Sequence, residues 1–247
     1  MTAGNLLDLI LQPGSLRAEF QPVVETYVGG SPTHYFEGLV RGPKGTNIEA
    51  PEVLFGYARR KHAEAEVDRV ALQTVLRHAR GLPAGSVAVN VHASTLATDL
   101  DFLPFLSDVL VESGLTPERL VLEIVEHGHT WDWSALKLNL EGLRHIGVRL
   151  ALDDFGTGQA NYLMLMECRP DYLKVERHFV HGCHADERRQ AFLESLASLG
   201  RRIGSQVVAE GVELQADLAQ VRAAGIGLAQ GHLLGRPGPA EQWRPRS

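Results

Sequence analysis

Short apolar runs recur along the chain at intervals that predict eight β-strands. Several of the runs are continuous rather than alternating, as expected for strands buried on both faces of a parallel sheet. The predicted strands are, in chain order, Ala18–Val24, His34–Val40, Val87–Val91, Leu120–Val125, Val148–Asp153, Tyr172–Glu176, Gln206–Ala209 and Gly227–Gln230.

Helical periodicity fills the stretches between these runs. Apolar residues step by four, three and four in segment 191–203, and by four, three and three in segment 136–146. Such spacing places them on one face of a helix. Pro51 and Pro117 each precede a glutamate, which suits the first turn of a helix. The chain therefore predicts an α/β fold.

The order of the elements favours a barrel. Only residues 25–33 separate the first two strands, which is too short for a helical crossover, so this pair should be antiparallel. All later strands follow a strand-then-helix order. We predict a (β/α)8 TIM-like barrel with an antiparallel first strand over residues 16–247, after an N-terminal leader at 1–15. An open doubly wound sheet is the alternative.

Composition narrows the class of protein. Among 247 residues there are 24 Lys and Arg against 30 Asp and Glu, a net charge of −6, which argues against binding to a nucleic-acid polymer. Two cysteines exclude a disulfide framework and indicate a reducing compartment. Neither a targeting pattern nor a membrane-spanning apolar run is recognised. These features predict a cytoplasmic protein without direct membrane insertion, or a soluble piece of a larger one.

Polar residues stand in or just after most of the predicted strands. They are Glu37, Asn90, Glu123, Glu126, Asp153, Asp154, Lys174, Glu210, Glu213 and Gln230. The carboxyl ends of barrel strands converge on one open face, where active sites are built. Any one of these residues alone is more often a capping or surface group. Their recurrence at successive strand ends favours a functional site.

The chemistry of these residues indicates a metal site. So many carboxylates cannot be buried together unless cations balance them. Oxygen ligands suit hard divalent cations, so we predict two ions of Mg²⁺ or Mn²⁺. Two such ions about 3.5–4 Å apart can clamp a phosphodiester and activate a water molecule. The single lysine can orient or deprotonate that water, or neutralise developing charge.

The same residues lie in motifs that resemble the EAL family of cyclic-di-GMP phosphodiesterases. Eight segments between about Phe20 and Pro237 match in the family's order, which leaves little room for chance. They are FQPVV (20–24), EGLVR (37–41), VNVHAS (89–94), LEIVE (122–126), DDFGTG (153–158), LKVE (173–176), VVAEGVE (207–213) and QGHLLGRP (230–237).

The resemblance implies an activity and a role for each site residue. The activity is hydrolysis of one phosphodiester of cyclic di-GMP to linear 5′-pGpG. The implied metal ligands are Glu37, Asn90, Glu123, Asp153, Asp154 and Glu210, with Asp153 shared between the ions. Lys174 would act on the attacking water beside Gln230 and Glu213, and Glu126 would anchor the loop after Asp154. Gln21, Leu39 and Arg41 would contact the dinucleotide.

The resemblance also implies a homodimer. No sensor domain is recognised, so a regulatory domain elsewhere in a longer protein is allowed for. The departures from the family pattern are Gly38 for Ala, Gly42 for Trp, Glu176 for Asp, and residues 159–162 after DDFGTG. We expect Gly38 to loosen its strand slightly and Gly42 to open one wall of the cleft. The carboxylate of Glu176 should reach further than that of an aspartate, and residues 159–162 should alter the mobility of their loop and its dimer-linked control. These departures motivate the alternative of a cyclic di-GMP receptor without hydrolysis; a protein-interaction domain is a third possibility.

Other polar motifs are given structural interpretations. The HGCH segment at 181–184 is interpreted as a loop leading into a helix rather than a zinc site. His127 and His129 are interpreted as a polar loop, and Trp131 and Trp133 as packing or helix-capping residues. Asp68 stands where the family has an aspartate before a long helix, and it is a candidate for orienting cleft residues.

Overall fold

All eight predicted strands are present. A computed structural model describes residues 6–27, 32–83, 85–126, 133–156 and 162–244. Its strands are β1 (Arg17–Glu25), β2 (Thr33–Arg41), β3 (Ser86–His92), β4 (Leu120–Val125), β5 (Arg149–Phe155), β6 (Tyr172–Val175), β7 (Gln206–Ala209) and β8 (Leu228–Ala229).

The strands close into a barrel in chain order. β1 runs antiparallel to both of its neighbours, β2 and β8, whereas the pairs from β2 to β8 are parallel. The predicted barrel with an antiparallel first strand is confirmed, and the open doubly wound alternative is wrong. The carboxyl ends of the seven parallel strands therefore share one face of the molecule.

Helices surround the barrel. They are α1 (Leu6–Leu11), α2 (Pro51–Arg60), α3 (Glu64–Ala79), α4 (Ala93–Thr98), α5 (Phe102–Ser113), α6 (Trp133–His145), α7 (Tyr162–Cys168), α8 (Arg177–Val180), α9 (Glu187–Ile203) and α10 (Gln215–Ala223). Helix α1 lies within the predicted leader, where Ile10 is buried in the core. Of the described helices, none combines the length and hydropathy needed to cross a bilayer.

Local chemistry explains where the elements begin and end. Helix α9 begins four residues before the predicted segment because the Asp186 carboxylate caps it, accepting hydrogen bonds from the backbone N–H groups of Arg188 and Arg189. It ends at Gly204, whose φ of 80° favours glycine. Pro51 begins α2 as predicted, whereas Pro117 begins only a short 3₁₀ turn, Pro117–Arg119.

Two layers of side chains fill the barrel. Side chains two residues apart on a strand point to the same face, so each strand, or the residue directly after it, contributes one side chain to each layer. The lower, mostly apolar layer comprises Val23, Tyr35, Ala88, Val121, Ala151, Tyr172, Val208 and Leu228. The upper, polar layer comprises Gln21, Glu37, Asn90, Glu123, Asp153, Lys174, Glu210 and Gln230. The apolar layer thus forms the floor of the candidate site.

Candidate functional site

Lys174 lies at the centre of the polar layer. Its side chain is 1% exposed, and its Nζ lies 2.6 Å from Glu123 Oε2 and 2.8 Å from Glu210 Oε1. The same Nζ lies 3.3 Å from Glu37 Oε2 and 3.2 Å from Asp153 Oδ1, the latter without hydrogen-bond geometry. Four strands therefore direct a carboxylate at one buried ammonium group.

Amide side chains complete this layer. Asn90 Nδ2 donates a hydrogen bond to Glu37 Oε1 at 3.0 Å, and Gln230 Nε2 donates to Glu37 Oε2 at 2.8 Å. Gln230 Nε2 also lies 3.3 Å from Gln21 Oε1, and Gln21 Nε2 donates to the Gly235 carbonyl at 2.9 Å. Gln21 stands directly opposite Glu37 in the antiparallel pair. These contacts fix both oxygens of Glu37.

Asp154 reaches the cluster through an irregularity in β5. The pairing of β5 with β6 shifts register between Leu152 and Phe155, and Asp154 adopts a φ of 52°. A regular strand would turn adjacent side chains to opposite faces. Here the carboxylates of Asp153, Asp154 and Glu210 offer oxygens that all lie within 4.8 Å of one another.

Burial and mutual repulsion raise the pKa values of several carboxyl groups in the cluster. Burial and the nearby Glu37 charge hold the pKa of Glu123 well above its usual range, and burial does the same for the pKa of Glu210. Burial and the adjacent Asp153 raise the pKa of Asp154 to about 6. Burial disfavours charged Lys174, but the surrounding carboxylates outweigh it and raise its pKa. The site thus holds more negative charge than its lysine balances.

The residues fit divalent cations. Four carboxylates contact the Lys174 ammonium and Asp154 adds a fifth to the cluster, so the cluster has an excess of four negative charges when all five are ionised, which equals the charge of two divalent ions. The Asn90 side-chain oxygen is buried and has no hydrogen-bond partner among the described residues, so it is available as a ligand. Carboxylate and amide oxygens are the donors that Mg²⁺ and Mn²⁺ take.

Glu213 lies at the rim of the site rather than beside Lys174. One of its oxygens lies 3.0 Å from Arg177 Nη2, and His181 and His232 approach it at 3.9 and 3.8 Å. A cleft of about 300 Å³ separates this rim from the carboxylate cluster. Its lining includes Gln21, Glu37, Asp154, Glu176, Arg177, Glu210, Glu213 and Gln230. The cleft is the entrance through which a ligand would reach the cluster.

The remaining predicted residues occupy different places. Arg41 is half-buried, and its Nη2 lies 2.9 Å from Glu19 Oε2 on the neighbouring strand. Leu39 is also half-buried, and neither residue is among the described residues that line the cleft. Glu126 directly follows β4. The loop it is predicted to anchor, residues 157–161, lies outside the described residues, as do His127, His129 and Trp131.

The structure corrects two expectations about departures from the family pattern. Gly38 does not loosen β2, because Val75 Cγ1 lies 2.2 Å from the point where a Cβ would stand. Gly42 does not open the cleft wall, because the Ile48 carbonyl oxygen would lie 1.9 Å from a Cβ there. Neighbouring atoms thus occupy both spaces. The longer Glu176 side chain caps α8 by accepting a hydrogen bond from His178 N at 2.6 Å.

Asp68 braces the strand that carries Asn90. The buried Asp68 carboxylate accepts hydrogen bonds from His92 N at 2.9 Å, from Thr95 Oγ1 at 2.6 Å, and from His92 Nδ1 at 2.8 Å. Burial lowers the pKa of His92, but the charge of Asp68 outweighs it, so the pKa is raised. Asp68 thereby fixes the end of β3, two residues after Asn90.

The HGCH segment forms a turn before a helix. Asp217 is buried and accepts hydrogen bonds from Gly182 N at 3.0 Å and His184 N at 3.2 Å, while His184 Nδ1 lies 2.6 Å from Asp217 Oδ1. Burial raises the pKa of the Cys183 thiol to about 12, so this cysteine is a poor nucleophile. Trp133 begins α6 and is half-buried. The structural interpretation of these residues agrees with their placement.

The sequence interpretation missed the floor of the site. Tyr35 and Tyr172 stand two residues before Glu37 and Lys174, and their ring centroids lie 5.1 Å apart inside the barrel. Period-two spacing back from each polar residue identifies both positions, because residues i and i−2 of a strand share a face. Ala88 and Ala151 in the same layer leave room for the two rings.

Comparisons with known proteins agree with this architecture. Residues 4–237 match the model of the EAL domain family. The cyclic di-GMP phosphodiesterase NbdA of Pseudomonas aeruginosa is 30% identical over 234 residues, which cover 93% of this chain and 30% of NbdA. The bifunctional diguanylate cyclase/cyclic di-GMP phosphodiesterase MucR of the same organism is 35% identical over 157 residues, covering 64% of this chain and 23% of MucR.

Solved structures extend the agreement to three dimensions. The PaMucR phosphodiesterase in complex with c-di-GMP has a TM-score of 0.81 at 30% identity, covering 93% of this chain and all of that one (100%). A manganese and cyclic di-GMP complex of BlrP1 from Klebsiella pneumoniae has a TM-score of 0.81 at 29% identity, covering 92% of this chain and 57% of that one. The chain spans less than a third of NbdA and of MucR. With its barrel and its ordered motifs, this chain belongs to the EAL domain family.

Proposed function

We propose that this protein hydrolyses cyclic di-GMP to linear 5′-pGpG with the help of two divalent cations, Mg²⁺ or Mn²⁺. The observation that carries the proposal is the cluster around Lys174, which brings five carboxylates together with a single ammonium group. The names of NbdA and MucR, and the cyclic di-GMP in the PaMucR and BlrP1 complexes, support the choice of substrate.

The cations are assigned to one set of residues. The proposed ligands are Glu37, Asn90, Glu123, Asp153, Asp154 and Glu210. Bound there, the ions would supply Lewis-acid polarisation of the phosphodiester and a lower pKa for the attacking water. Every ligand except Asn90 is a carboxylate, so the site takes hard cations in preference to soft ones.

Lys174 has a direct part in the reaction. Its ammonium group is fixed between carboxylates from four strands, so it cannot swing out of the site. From that position it orients the attacking water and neutralises the charge that develops on the phosphoryl oxygens. Gln230 holds Glu37 in place and borders the cleft. Glu213, paired with Arg177, closes the rim over the bound substrate.

The substrate is assigned to the cleft beside β1 and β2. Gln21 lines this cleft and is anchored to the Gly235 carbonyl, so its side chain is already positioned. Arg41 is paired with Glu19 on the surface of the same two strands and would exchange that partner for the dinucleotide. Leu39 would contact the dinucleotide, and Glu126 would hold the loop after Asp154.

The assembly is proposed to be a homodimer. Helix α7, which follows the loop after Asp154, exposes Tyr162, Leu163 and Met166, and Leu138 is exposed on α6. Lys137 of α6 and Glu167 of α7 form an ion pair with a 2.9 Å separation, which joins the two helices. A second copy would cover these apolar residues. Static light scattering tests this, and a strict monomer would overturn it.

The proposed location is the cytoplasm, and the proposed ligand is a small nucleotide rather than a nucleic-acid polymer. Cys168 and Cys183 are free and buried, which suits a reducing compartment such as the cytoplasm. The small share of NbdA and MucR that the chain matches supports a regulatory domain elsewhere in a longer protein. The acidic net charge of −6 speaks against a nucleic-acid polymer as partner.

A turnover assay tests the proposal. Purified protein is incubated with cyclic di-GMP and Mn²⁺, Mg²⁺ or EDTA, and the nucleotides are resolved by chromatography. We expect metal-dependent formation of pGpG that is lost in Lys174→Ala and retained in Arg202→Ala, which removes an exposed cation near the end of α9. Saturable binding of intact cyclic di-GMP without product would identify a receptor instead. Absence of both would leave a protein-interaction domain as the better account.

A further inference from the structure

Tyr35 lies directly beneath the carboxylate cluster. Among the described residues it is the largest side chain that is fully buried, and its hydroxyl donates a hydrogen bond to Glu123 Oε1 at 3.4 Å. The other oxygen of Glu123 lies 2.6 Å from Lys174 Nζ. The carboxylate is thus held from the floor by a tyrosine and from the centre by a lysine.

The Tyr35 ring is itself held by its neighbours. Its centroid lies 5.1 Å from that of Tyr172 and 6.0 Å from that of His34. Tyr172 Oη accepts a hydrogen bond from Arg149 Nη1 at 2.8 Å and lies 3.1 Å from His34 Nε2, while His34 Nδ1 lies 3.3 Å from Glu25 Oε1. These contacts fix Tyr172 against Tyr35 and leave the Tyr35 hydroxyl aimed upward.

The two tyrosines differ in the direction of their hydroxyl groups. Of the eight residues in the apolar layer, only these two carry a polar side-chain atom. Tyr35 Oη points to the site, and Tyr172 Oη points to the opposite end of the barrel, toward Arg149 and His34. A packing role alone requires neither hydroxyl, because phenylalanine fills nearly the same volume.

We propose that Tyr35 is a positioning residue that holds Glu123 in the orientation needed to bind a divalent cation. The inference rests on the proposed function, because it concerns the same metal site. Glu123 is fully buried and its two oxygens contact Tyr35 and Lys174, so without the donor beneath it the carboxyl group could rotate away from the other ligands. Tyr35 supplies that donor from a buried ring that packs against Tyr172 and His34.

The structure provides a matched pair of variants. Tyr35→Phe and Tyr172→Phe each remove one hydroxyl from the same layer, at rings that contact each other. Loss of a group that orients a metal ligand weakens metal binding by about 10–100-fold. We therefore expect Tyr35→Phe to weaken Mn²⁺ binding by about tenfold. Tyr172→Phe should bind Mn²⁺ as the wild type does, although its melting temperature falls.

The experiment measures Mn²⁺ affinity without substrate, by titration followed with electron paramagnetic resonance, on the two variants and the wild type. Thermal unfolding confirms that each protein is folded. With substrate at saturating Mn²⁺, Tyr35→Phe should lower kcat while KM changes less than twofold. Equal affinities in Tyr35→Phe and the wild type overturn the role of Tyr35 and leave the proposed function intact. Equal weakening in both variants also overturns it, because that result indicates packing. A wild type that binds no Mn²⁺ overturns both.

Discussion

Asp153 and Asp154 are adjacent in the chain, yet both direct a carboxylate into one cluster with Glu210. The register shift in β5 and the φ of 52° at Asp154 make this possible. Left-handed backbone costs an ordinary residue roughly 1 kcal/mol, and aspartate and asparagine tolerate it best. A functional site that needs two neighbouring carboxylates thus accepts local strain, as such sites often do.

The backbone at Asp154 leads to the first prediction. Asp154→Asn keeps a residue that tolerates positive φ and removes the charge, so its melting temperature should equal or exceed that of the wild type in EDTA. Metal-dependent hydrolysis should fall at least 100-fold. Asp154→Ala should lose the same activity and also about 1 kcal/mol of unfolding free energy. Equal stability of the two variants in urea denaturation would contradict the strain at this residue.

Removal of metal should change how stability depends on pH. Without metal, burial and Asp153 raise the pKa of Asp154 to about 6, and burial holds the pKa values of Glu123 and Glu210 well above their usual range. A folded-state pKa above the unfolded value means that the folded protein binds protons more tightly, so its stability should rise as pH falls from about 7 toward 5.

Mn²⁺ should reverse this dependence, because cations replace protons in the cluster. Urea unfolding at pH 5 and pH 7.5, with EDTA or with Mn²⁺, measures the effect. We expect Mn²⁺ to stabilise the protein at pH 7.5 and to have less effect at pH 5. Arg202→Ala serves as a control that changes surface charge near the end of α9, away from the cluster. A metal-free protein that is most stable at pH 7.5 would contradict the proton uptake.

Local patterns were sufficient to predict the barrel and the residues of the polar layer other than Gln21, which only the family resemblance identified. Strands buried on both faces read as apolar runs, and polar residues at the ends of such runs stand out. Contacts across the barrel could not be predicted in this way. Tyr35 and Glu123 are 88 residues apart, and their contact depends on the register of several strands. The packing of Val75 against Gly38 and the ion pair of Arg177 with Glu213 likewise join residues that are distant in the chain.

The contact between Gly38 and Val75 predicts a coupled pair of substitutions. Gly38→Ala restores the family's usual residue but places a methyl group against Val75, which is fully buried, and overpacking of this kind costs about 1–3 kcal/mol. The double variant Gly38→Ala with Val75→Ala should be less destabilised than the sum of the two single variants. Urea denaturation of all four proteins gives the coupling energy, expected at about 1 kcal/mol or more.

Gly56 offers a control for the glycine substitution. It lies within α2, where a Cβ would meet Arg60 Nη1 at an ordinary 3.7 Å. Gly56→Ala should therefore stabilise the protein by about 0.5–1 kcal/mol through helix propensity. Destabilisation of Gly38→Ala with additive energies in the double variant would show that Val75 is not the cause.

Asp217 should contribute stability that is lost in acid. Burial would raise its pKa, but hydrogen bonds from Gly182 N and from His184 outweigh burial, so the pKa is lowered. A carboxyl group with a lowered folded-state pKa stabilises the protein at pH values above its unfolded-state pKa of about 4. This contribution disappears as the pH falls through the folded-state pKa. Asp217→Asn should therefore cost about 1–3 kcal/mol at pH 7, because it removes charge from a buried acceptor of several hydrogen bonds. The difference from the wild type in urea midpoint should shrink steadily below pH 4.

Asp108→Asn, on the exposed face of α5, should leave the midpoint within error at every pH. A cost for Asp217→Asn that stays constant from pH 7 to pH 3 would mean that the side-chain shape, and not its charge, secures the turn before α9.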